Sequence, residues 1–185
     1  MNLRGSIPAV VLQKVTRLTE LNLRENTLTG QIPTTVGHLK DLQSFWLSEN
    51  HLEGTLPRQV GLMTDLKVLE FQGNKIEGSI PNLLSALLSL EHMNFARNNL
   101  TGTIPNDLGN LHRLKTLFLE SNNFSGGIPS GLGKLESLKQ ARLYHNHFEG
   151  KMPSEVCYLA TDEELIYLGA DCNDDFKCSC CTKCF

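Results

Sequence analysis

The chain has 185 residues, of which 40% are hydrophobic and 20% charged, and a formal net charge of -3. This length and composition indicate one domain with a real apolar core and exclude a disordered or collagen-like chain. Charges of both signs are interspersed, which argues against nucleic acid and anionic membrane surfaces as partners. No apolar run approaches the roughly 20 residues of a membrane-spanning helix, so we expect no direct membrane insertion of this segment.

The N-terminal segment, residues 1–17, starts in the middle of a pattern that the rest of the chain repeats. Four of its positions match positions 25 residues further on, namely Leu3, Gly5, Ile7 and Pro8 with Leu28, Gly30, Ile32 and Pro33. The residues MNLRGSIP lack the basic and apolar segments of a secretory signal, so a targeting sequence has been removed or lies upstream. We predict a partial repeat from a longer protein or, alternatively, an end over which PAVVLQKV folds.

Residues 18–161 contain six copies of a 24-residue unit. Asparagine recurs at this step at Asn26, Asn50, Asn74, Asn98, Asn122 and Asn146, with glycine four residues and proline seven residues after each. The leucines of each unit alternate with period two, which favours a short strand, while glycine and proline favour turns. One unit cannot bury its leucines alone, so the period predicts a solenoid of stacked units.

Each unit reads L-x-x-L-x-L-x-x-N-x-L-x-G-x-I-P-x-x-L-G-x-L, as in LKTLFLESNNFSGGIPSGLGKL at residues 114–135. Over residues 1–160 this pattern resembles the plant-type leucine-rich repeat. The resemblance implies an α/β solenoid: a right-handed superhelix with a parallel β-sheet on the concave face and short 3-10 or helical turns on the convex side. It also implies a second short strand in the Ile-Pro segment. Similar proteins serve as receptor ectodomains, co-receptors and polygalacturonase-inhibitor-like proteins.

The repeated asparagine follows the strand, where we predict that its side chain points inward among the leucines. A buried amide needs hydrogen-bond partners, and backbone groups of adjacent turns are available to supply them. The six asparagines are therefore predicted to form a structural ladder.

Residues that alternate with the strand leucines are predicted to face outward on the concave side. A step of 24 gives one column of Asn22, Trp46, Glu70, Asn94, Phe118, Arg142 and Ile166, and a second of Arg24, Ser48, Gln72, Ala96, Glu120, Tyr144 and Leu168. Exposed aromatic and arginine side chains are typical of interface hot spots. We predict ligand contacts at Trp46, Glu70, Asn94, Phe118, Arg142, Gln72, Glu120 and Tyr144.

Trp46 is the only tryptophan, and its neighbours Phe45 and Leu47 are assigned to the core. Because strands lie about 4.8 Å apart, Trp46 and Phe118 are separated by about 14 Å, which fits one extended partner segment. Two alternatives stay open for Trp46, an inert surface position and a contact with missing repeats or a dimer mate.

Two sequons are candidate glycosylation sites, Asn99-Leu100-Thr101 and Asn123-Phe124-Ser125. The repeat consensus by itself also produces this sequence pattern. No phosphate-binding glycine loop, nucleophile elbow or zinc-protease motif occurs. His145 and His147 flank Asn146, where solvated surface is a commoner role than metal binding. The sequence therefore predicts no enzyme, no cofactor and no metal.

The tail, residues 162–185, is predicted to be a degenerate last repeat with a cysteine-rich cap. The six cysteines lie together at Cys157, Cys172, Cys178, Cys180, Cys181 and Cys184. An even number at the end of a repeat array indicates disulfides made in an oxidising compartment, and we expect Cys157–Cys172 among them. The spacing CSCCTKC leaves metal binding as the alternative. The tail resembles those of microalgal leucine-rich-repeat proteins, which supports secretion or surface display.

These features predict a non-enzymatic extracellular or cell-surface module that binds a protein, peptide or carbohydrate on its concave face. One alternative is the ectodomain fragment of a leucine-rich-repeat receptor kinase or receptor-like protein, with a co-receptor or dimer contact. Another is an inhibitor of a secreted hydrolase, or a structural or adhesive surface protein. An ice binder should show a regular array of one small residue type, whereas these columns vary from repeat to repeat.

Overall fold

The structure, a computed structural model, describes residues 2–161 and 165–185. Successive repeats stack so that each strand pairs in parallel with the equivalent strand of the next repeat. The predicted α/β solenoid is confirmed. Residues 162–164, where the cap was predicted to begin, lie outside the described residues.

The concave sheet has eight parallel strands. They are β2 (Glu20–Asn22), β4 (Ser44–Trp46), β6 (Val68–Glu70), β8 (His92–Asn94), β10 (Thr116–Phe118), β12 (Gln140–Arg142), β15 (Tyr167–Ala170) and β17 (Lys183–Cys184). In β4 to β12 the middle residue is buried and its two neighbours are half-buried. This alternation is the period-two pattern of a strand with one face on the core.

A second sheet, which we name the lateral sheet, runs along the side of the solenoid. Its strands are β1 (Arg4–Gly5), β3 (Thr27–Gln31), β5 (His51–Thr55), β7 (Lys75–Gly78), β9 (Asn99–Gly102), β11 (Asn123–Gly126) and β13 (His147–Phe148). A separate pair joins β14 (Gly150–Lys151) to β16 (Phe176–Lys177). The expectation of a strand in the Ile-Pro segment is corrected, because the first six lateral strands end before it. Proline has no N–H to donate to a strand ladder.

The convex side is built from short helical turns. Five 3-10 turns span Thr34–His38, Arg58–Leu62, Asn82–Ala86, Asn106–Asn110 and Ser130–Lys134. Each follows the repeat proline, whose ring fixes φ in an extended cap. A Cβ atom on Gly109 would lie 2.0 Å from the Gly131 carbonyl oxygen, so this close stacking requires glycine.

Two α-helices flank the repeats, α1 (Ala9–Leu12) and α2 (Ser154–Thr161). Among the described residues, no helix is long and apolar enough to cross a bilayer. In α1, Leu12 is buried but Val10 and Val11 are exposed. An apolar cleft of about 510 Å³ remains beside α1, lined in part by Leu18 and Leu21. The segment PAVVLQKV therefore covers only part of the first core layer.

The core is continuous from repeat to repeat. Phe45 and Leu47 are fully buried, as the register predicts. Phe71 packs edge-on against Phe45 at 5.4 Å and is stacked with Phe95 at 5.5 Å between ring centroids. Packed aromatic pairs of this kind add to the stabilisation from apolar burial.

Each asparagine of the ladder ties two successive turns together. The Asn98 amide donates to the carbonyl groups of Phe95 and Ala96 in its own repeat and of Phe71 in the preceding one. Its Oδ1 accepts from the Ile76 N–H at 3.0 Å. Asn50, Asn74 and Asn122 make the same set of bonds, and these four side chains are buried. Asn26 and Asn146, nearer the ends, are half-buried. Asn146 keeps all three carbonyl partners, whereas Asn26 bonds only to the two carbonyls of its own repeat, those of Leu23 and Arg24.

The last repeat is longer than the others, which corrects the predicted columns. Arg142 pairs with Gly169, a step of 27, so Ile166 and Leu168 do not stand beside Arg142 and Tyr144. Leu168 is buried and Tyr167 takes the outward position beside Gln140. The extra length accommodates the eight-residue helix α2 where other repeats have a five-residue turn.

Asp171 closes the open end of the backbone ladder. Its two carboxylate oxygens accept from the N–H groups of His145 and Asn146 at 2.8 and 3.1 Å. In the preceding repeat the equivalent N–H groups are bonded to carbonyls of the next turn. One side chain therefore replaces the two carbonyls that a further repeat would supply.

The predicted disulfide-bonded cap is confirmed, but the expected Cys157–Cys172 bond is wrong. The pairs are Cys157–Cys180, Cys172–Cys184 and Cys178–Cys181. Because β17 pairs in parallel with β15, it brings Cys184 beside the residues that follow β15. Cys172 is one of those residues, and its Cα lies 5.2 Å from that of Cys184.

We predict that Asn98→Ala lowers the free energy of unfolding by about 1–3 kcal/mol, because the buried Ile76 N–H loses its acceptor. Urea denaturation of the unglycosylated protein measures the change. Asn99→Ala is the matched control, since Asn99 is exposed one residue away. Equal stabilities of the two variants would contradict the ladder's structural role.

Candidate ligand-binding face

Strand register places the predicted ligand contacts in two rows across the repeats. The first row contains Trp46, Glu70, Asn94, Phe118 and Arg142, which are neighbours in successive strands. The second row, two residues further along each repeat, contains Arg24, Ser48, Gln72, Ala96, Glu120 and Tyr144, where backbone hydrogen bonds continue the pairing. Ser48 and Ala96 are buried, so the surface of the second row is recessed at these two positions.

Arg24, Trp46 and Glu70 form the Trp46 cluster at the N-terminal end of the face. The Arg24 guanidinium carbon lies 4.9 Å from the centroid of the Trp46 ring. The same guanidinium forms an ion pair with the carboxylate of Glu70, which lies next to Trp46 on the adjacent strand β6. The cation–π contact and the ion pair hold the half-buried ring in one orientation.

The middle of the face is polar and is recessed at Ala96, which is buried. The Asn94 amide donates to Gln72 Oε1, so these two predicted contacts bond to each other. In β8 and β10, His92 Nδ1 lies 2.9 Å from Thr116 Oγ1. Asn94 and Gln72 therefore form a polar contact between Trp46 on β4 and Phe118 on β10.

Arg142, Phe118, Glu120 and Tyr167 form the Phe118 cluster at the C-terminal end. The Arg142 guanidinium carbon lies 4.3 Å from the Phe118 ring centroid and 5.8 Å from that of Tyr167. Arg142 Nη1 is 3.6 Å from Glu120 Oε1, an ion pair that is too long for a hydrogen bond. The position of Arg142 is therefore set mainly by its contacts with the Phe118 and Tyr167 rings.

Glu120 is the most unusual titratable group on this face. Its side chain is only 12% exposed, and within the described residues Oε2 has no hydrogen-bond partner. Burial raises the pKa of the Glu120 carboxyl above its ordinary value, and the Arg142 and Arg97 guanidinium groups oppose that rise. Burial likewise raises the pKa of the Tyr144 hydroxyl next to Glu120.

One ion pair on the rim of the face crosses a whole repeat. Arg97 pairs with Glu49, two repeats away, by passing over Gly73. A Cβ atom on Gly73 would lie 2.6 Å from a Glu49 carboxylate oxygen. Gly73 occupies the position held by Glu25, Glu49, Arg97, Ser121 and His145 in the other repeats, and all six residues have positive φ.

The structure therefore adds partners that the sequence did not predict. Arg24, Glu49 and Arg97 reach the predicted face through ion pairs that span two repeats. The sequence carries a signal for the Arg97–Glu49 ion pair, because glycine stands at position 73 between charged residues at the equivalent positions 49 and 97. Tyr167 was missed because the last repeat is longer.

The remaining candidate residues lie away from the two rows. Asn99 and Asn123 are exposed on β9 and β11 of the lateral sheet. His145 and His147 are exposed at the C-terminal end. In the part of the chain that the structure describes, no group of three His, Cys, Asp or Glu residues is arranged to hold a metal ion.

A family model described as "leucine-rich repeat region" matches residues 3–127, which is more than half of the chain. The chain belongs to the leucine-rich repeat family. A comparison of this leucine-rich repeat protein with curated protein sequences found no match.

Solved leucine-rich repeat structures align over nearly all of the chain. PEPR1–AtPEP1 is 34% identical with a TM-score of 0.85, covering 96% of this chain and 24% of that one. The Arabidopsis receptor kinase HAESA, in complex with the peptide hormone IDA and the co-receptor SERK1, is 29% identical with a TM-score of 0.85, covering 95% and 31%. A plant ice-binding protein is 30% identical with a TM-score of 0.74, covering 85% and 49%. The chain therefore spans a quarter to a half of these three proteins.

We predict that Arg24→Gln uncovers Trp46, the only fluorophore of its kind in the protein. Acrylamide quenching of tryptophan emission should become more efficient and the emission should shift to longer wavelength. Arg17→Gln, at an exposed position just before the first full repeat, is the control. An unchanged quenching constant for Arg24→Gln would contradict the cation–π contact.

We predict that Glu120→Gln stabilises the protein more at pH 7 than at pH 4, relative to the unchanged chain. Because the folded pKa is raised, Glu120 contributes stability that is fully present below the ordinary value of 4.5 and is lost as the pH rises through the folded pKa. Glutamine cannot ionise and avoids that loss.

Thermal melts between pH 4 and 7 measure the difference, and Glu91→Gln provides a control of opposite sign. The hydrogen bond from Lys115 lowers the pKa of Glu91, so its contribution is present above 4.5 and is lost as the pH falls through the lowered pKa. Parallel pH trends for the two variants would contradict the burial of Glu120.

Proposed function

We propose that this chain is a non-enzymatic extracellular recognition module that binds a peptide or protein segment on its concave face. The observation that carries the proposal is the pair of arginine–aromatic clusters around Trp46 and Phe118. They lie three strands apart, about 14 Å at the usual strand spacing, with a lower polar surface between them. Both rings are half-buried and held by arginine, which reduces the entropy lost when a partner orders them.

The complexes formed by similar proteins support a peptide rather than a carbohydrate ligand. HAESA is in complex with a peptide hormone and a co-receptor, and another 31% identical structure is a plant peptide hormone receptor, RGFR1, in complex with RGF2. The extracellular assignment is supported by three disulfides, which persist in oxidising compartments. The sequons at Asn99 and Asn123 lie on the lateral sheet, so glycans there would leave the concave face open.

The chain functions either as part of a receptor ectodomain or as a separate secreted binder. The chain aligns with 24% of PEPR1 and 31% of HAESA, so it corresponds to one segment of each of those two proteins. A co-receptor or dimer contact belongs to the same proposal. The sequences that flank this segment discriminate between the two, since a receptor requires a membrane anchor downstream.

Selection from a displayed library of random peptides tests the proposed face. We expect peptides selected on the unchanged protein to lose at least about tenfold in affinity for a Trp46→Ala, Phe118→Ala, Arg142→Gln variant, as for the loss of hot-spot residues. The matched control carries Arg58→Gln, Arg113→Gln and Tyr158→Ala at exposed positions outside the two rows.

Thermal melts first establish that both variants are folded. Selected peptides that bind both variants equally well would contradict a concave binding site. A library that yields no binders would also count against it.

A further inference from the structure

The cysteine-rich cap continues the concave face beyond the last repeat. Strand β17 pairs in parallel with β15, and Phe185 N donates to the carbonyl of Ala170. The Cys172–Cys184 disulfide fixes the strand at this edge. The cap therefore adds outward side chains next to the Phe118 cluster, as well as closing the core.

The added side chains stack on residues of the second row. The rings of Phe185 and Tyr144 lie 3.8 Å apart between centroids and are nearly parallel, at 20°. Lys183 Nζ lies 4.6 Å from the Phe185 ring centroid. Phe185 remains 40% exposed, so this stack is accessible from the concave side.

Register places Arg142 and Lys183 in one row on either side of Gly169. Arg142 pairs with Gly169, and Gly169 pairs with Lys183. Two strand spacings separate the cations by about 10 Å at the backbone. A Cβ atom on Gly169 would meet the Tyr167 and Tyr144 rings at 2.9 and 3.2 Å, so those rings form an aromatic floor between the two cations.

Two side-chain carboxylates beside this floor, those of Glu120 and Asp171, already have other contacts or are largely covered. The carbonyl oxygen of Phe185 accepts the N–H of Cys172. The side chain of Glu120 is only 12% exposed, and this partial burial raises the pKa of its carboxyl. Asp171 accepts the N–H groups of His145 and Asn146. Within the described residues, the Arg142 guanidinium donates no hydrogen bond, and its ion-pair contact with Glu120 is 3.6 Å long. The patch therefore presents cationic donors over rings.

We propose that this cap patch, formed by Arg142, Tyr144, Tyr167, Lys183 and Phe185, binds an extended peptide segment with two acidic side chains around an apolar one. The carboxylates pair with Arg142 and Lys183, and the apolar side chain packs on the aromatic floor. Arginine donates two parallel N–H groups to a carboxylate. Contact with the aromatic rings restricts the orientation of the guanidinium before the peptide binds. The assignment rests on the proposed function, because it names the ligand chemistry of the same face.

Nuclear magnetic resonance titration with end-blocked pentapeptides tests the cap patch. The probe is acetyl-Gly-Asp-Phe-Asp-Gly-amide, and the matched probe replaces both Asp residues with Asn. We expect the acidic probe to bind about tenfold more tightly and to shift the side-chain signals of Arg142, Lys183 and Tyr144. Its affinity should fall as salt is raised, since exposed charges are screened.

Lys183→Gln and Arg142→Gln should each lower the affinity for the acidic probe by about three- to fivefold, the range expected for an exposed ion pair. Lys177→Gln and Arg113→Gln, which remove exposed charges elsewhere, should leave it unchanged. Lys183 lies in the cap, so its substitution leaves the ladder intact. Matching amide spectra confirm that each variant is folded.

Equal binding of the two probes would overturn the proposal, as would equal losses for Lys177→Gln and Lys183→Gln. These failures differ from a failure of the proposed function. If library-selected peptides respond to the Trp46, Phe118 and Arg142 substitutions but not to Lys183→Gln, the concave site stands and the role of the cap is wrong.

Discussion

The buried asparagine ladder is the constraint on which the rest of the structure depends. Each inner amide bonds to carbonyls of two adjacent repeats and accepts an N–H from the preceding one. A shift of one residue in any repeat would leave buried polar groups without partners, which is costly in an apolar core. The ladder therefore fixes the register of the concave strands from β2 to β12.

Fixed register turns residues that are distant in sequence into neighbours with defined chemistry. Arg24 reaches Glu70 across Trp46, and Arg97 reaches Glu49 across Gly73. These pairs neutralise much of the charge on the N-terminal part of the face. At the C-terminal end the charge balance differs, because the Glu120 side chain is only 12% exposed and the cap adds Lys183. One continuous sheet thus presents two chemically different regions.

The sequence predicted the face well where the period is constant, and it failed where the period changes. Steps of 24 placed Trp46, Glu70, Asn94, Phe118 and Arg142 in one row because every strand there repeats the same alternation. In the last repeat, Leu165, Ile166, Tyr167 and Leu168 are all apolar or aromatic, so period two does not fix which face is buried. The helix α2 then shifts the register. Disulfide pairing and the two-repeat ion pairs depend on that three-dimensional register and on side-chain reach.

Hydroxyl-radical footprinting of the protein with and without a library-selected peptide tests the central claim, a peptide site on the concave face, most directly. Aromatic side chains react readily, and they occur both on this face and at Tyr158, which is 67% exposed on α2. Bound peptide should protect Trp46 and Phe118 from oxidation and leave Tyr158 unchanged. Protection of Tyr158 with undiminished oxidation of Trp46 and Phe118 would contradict that claim.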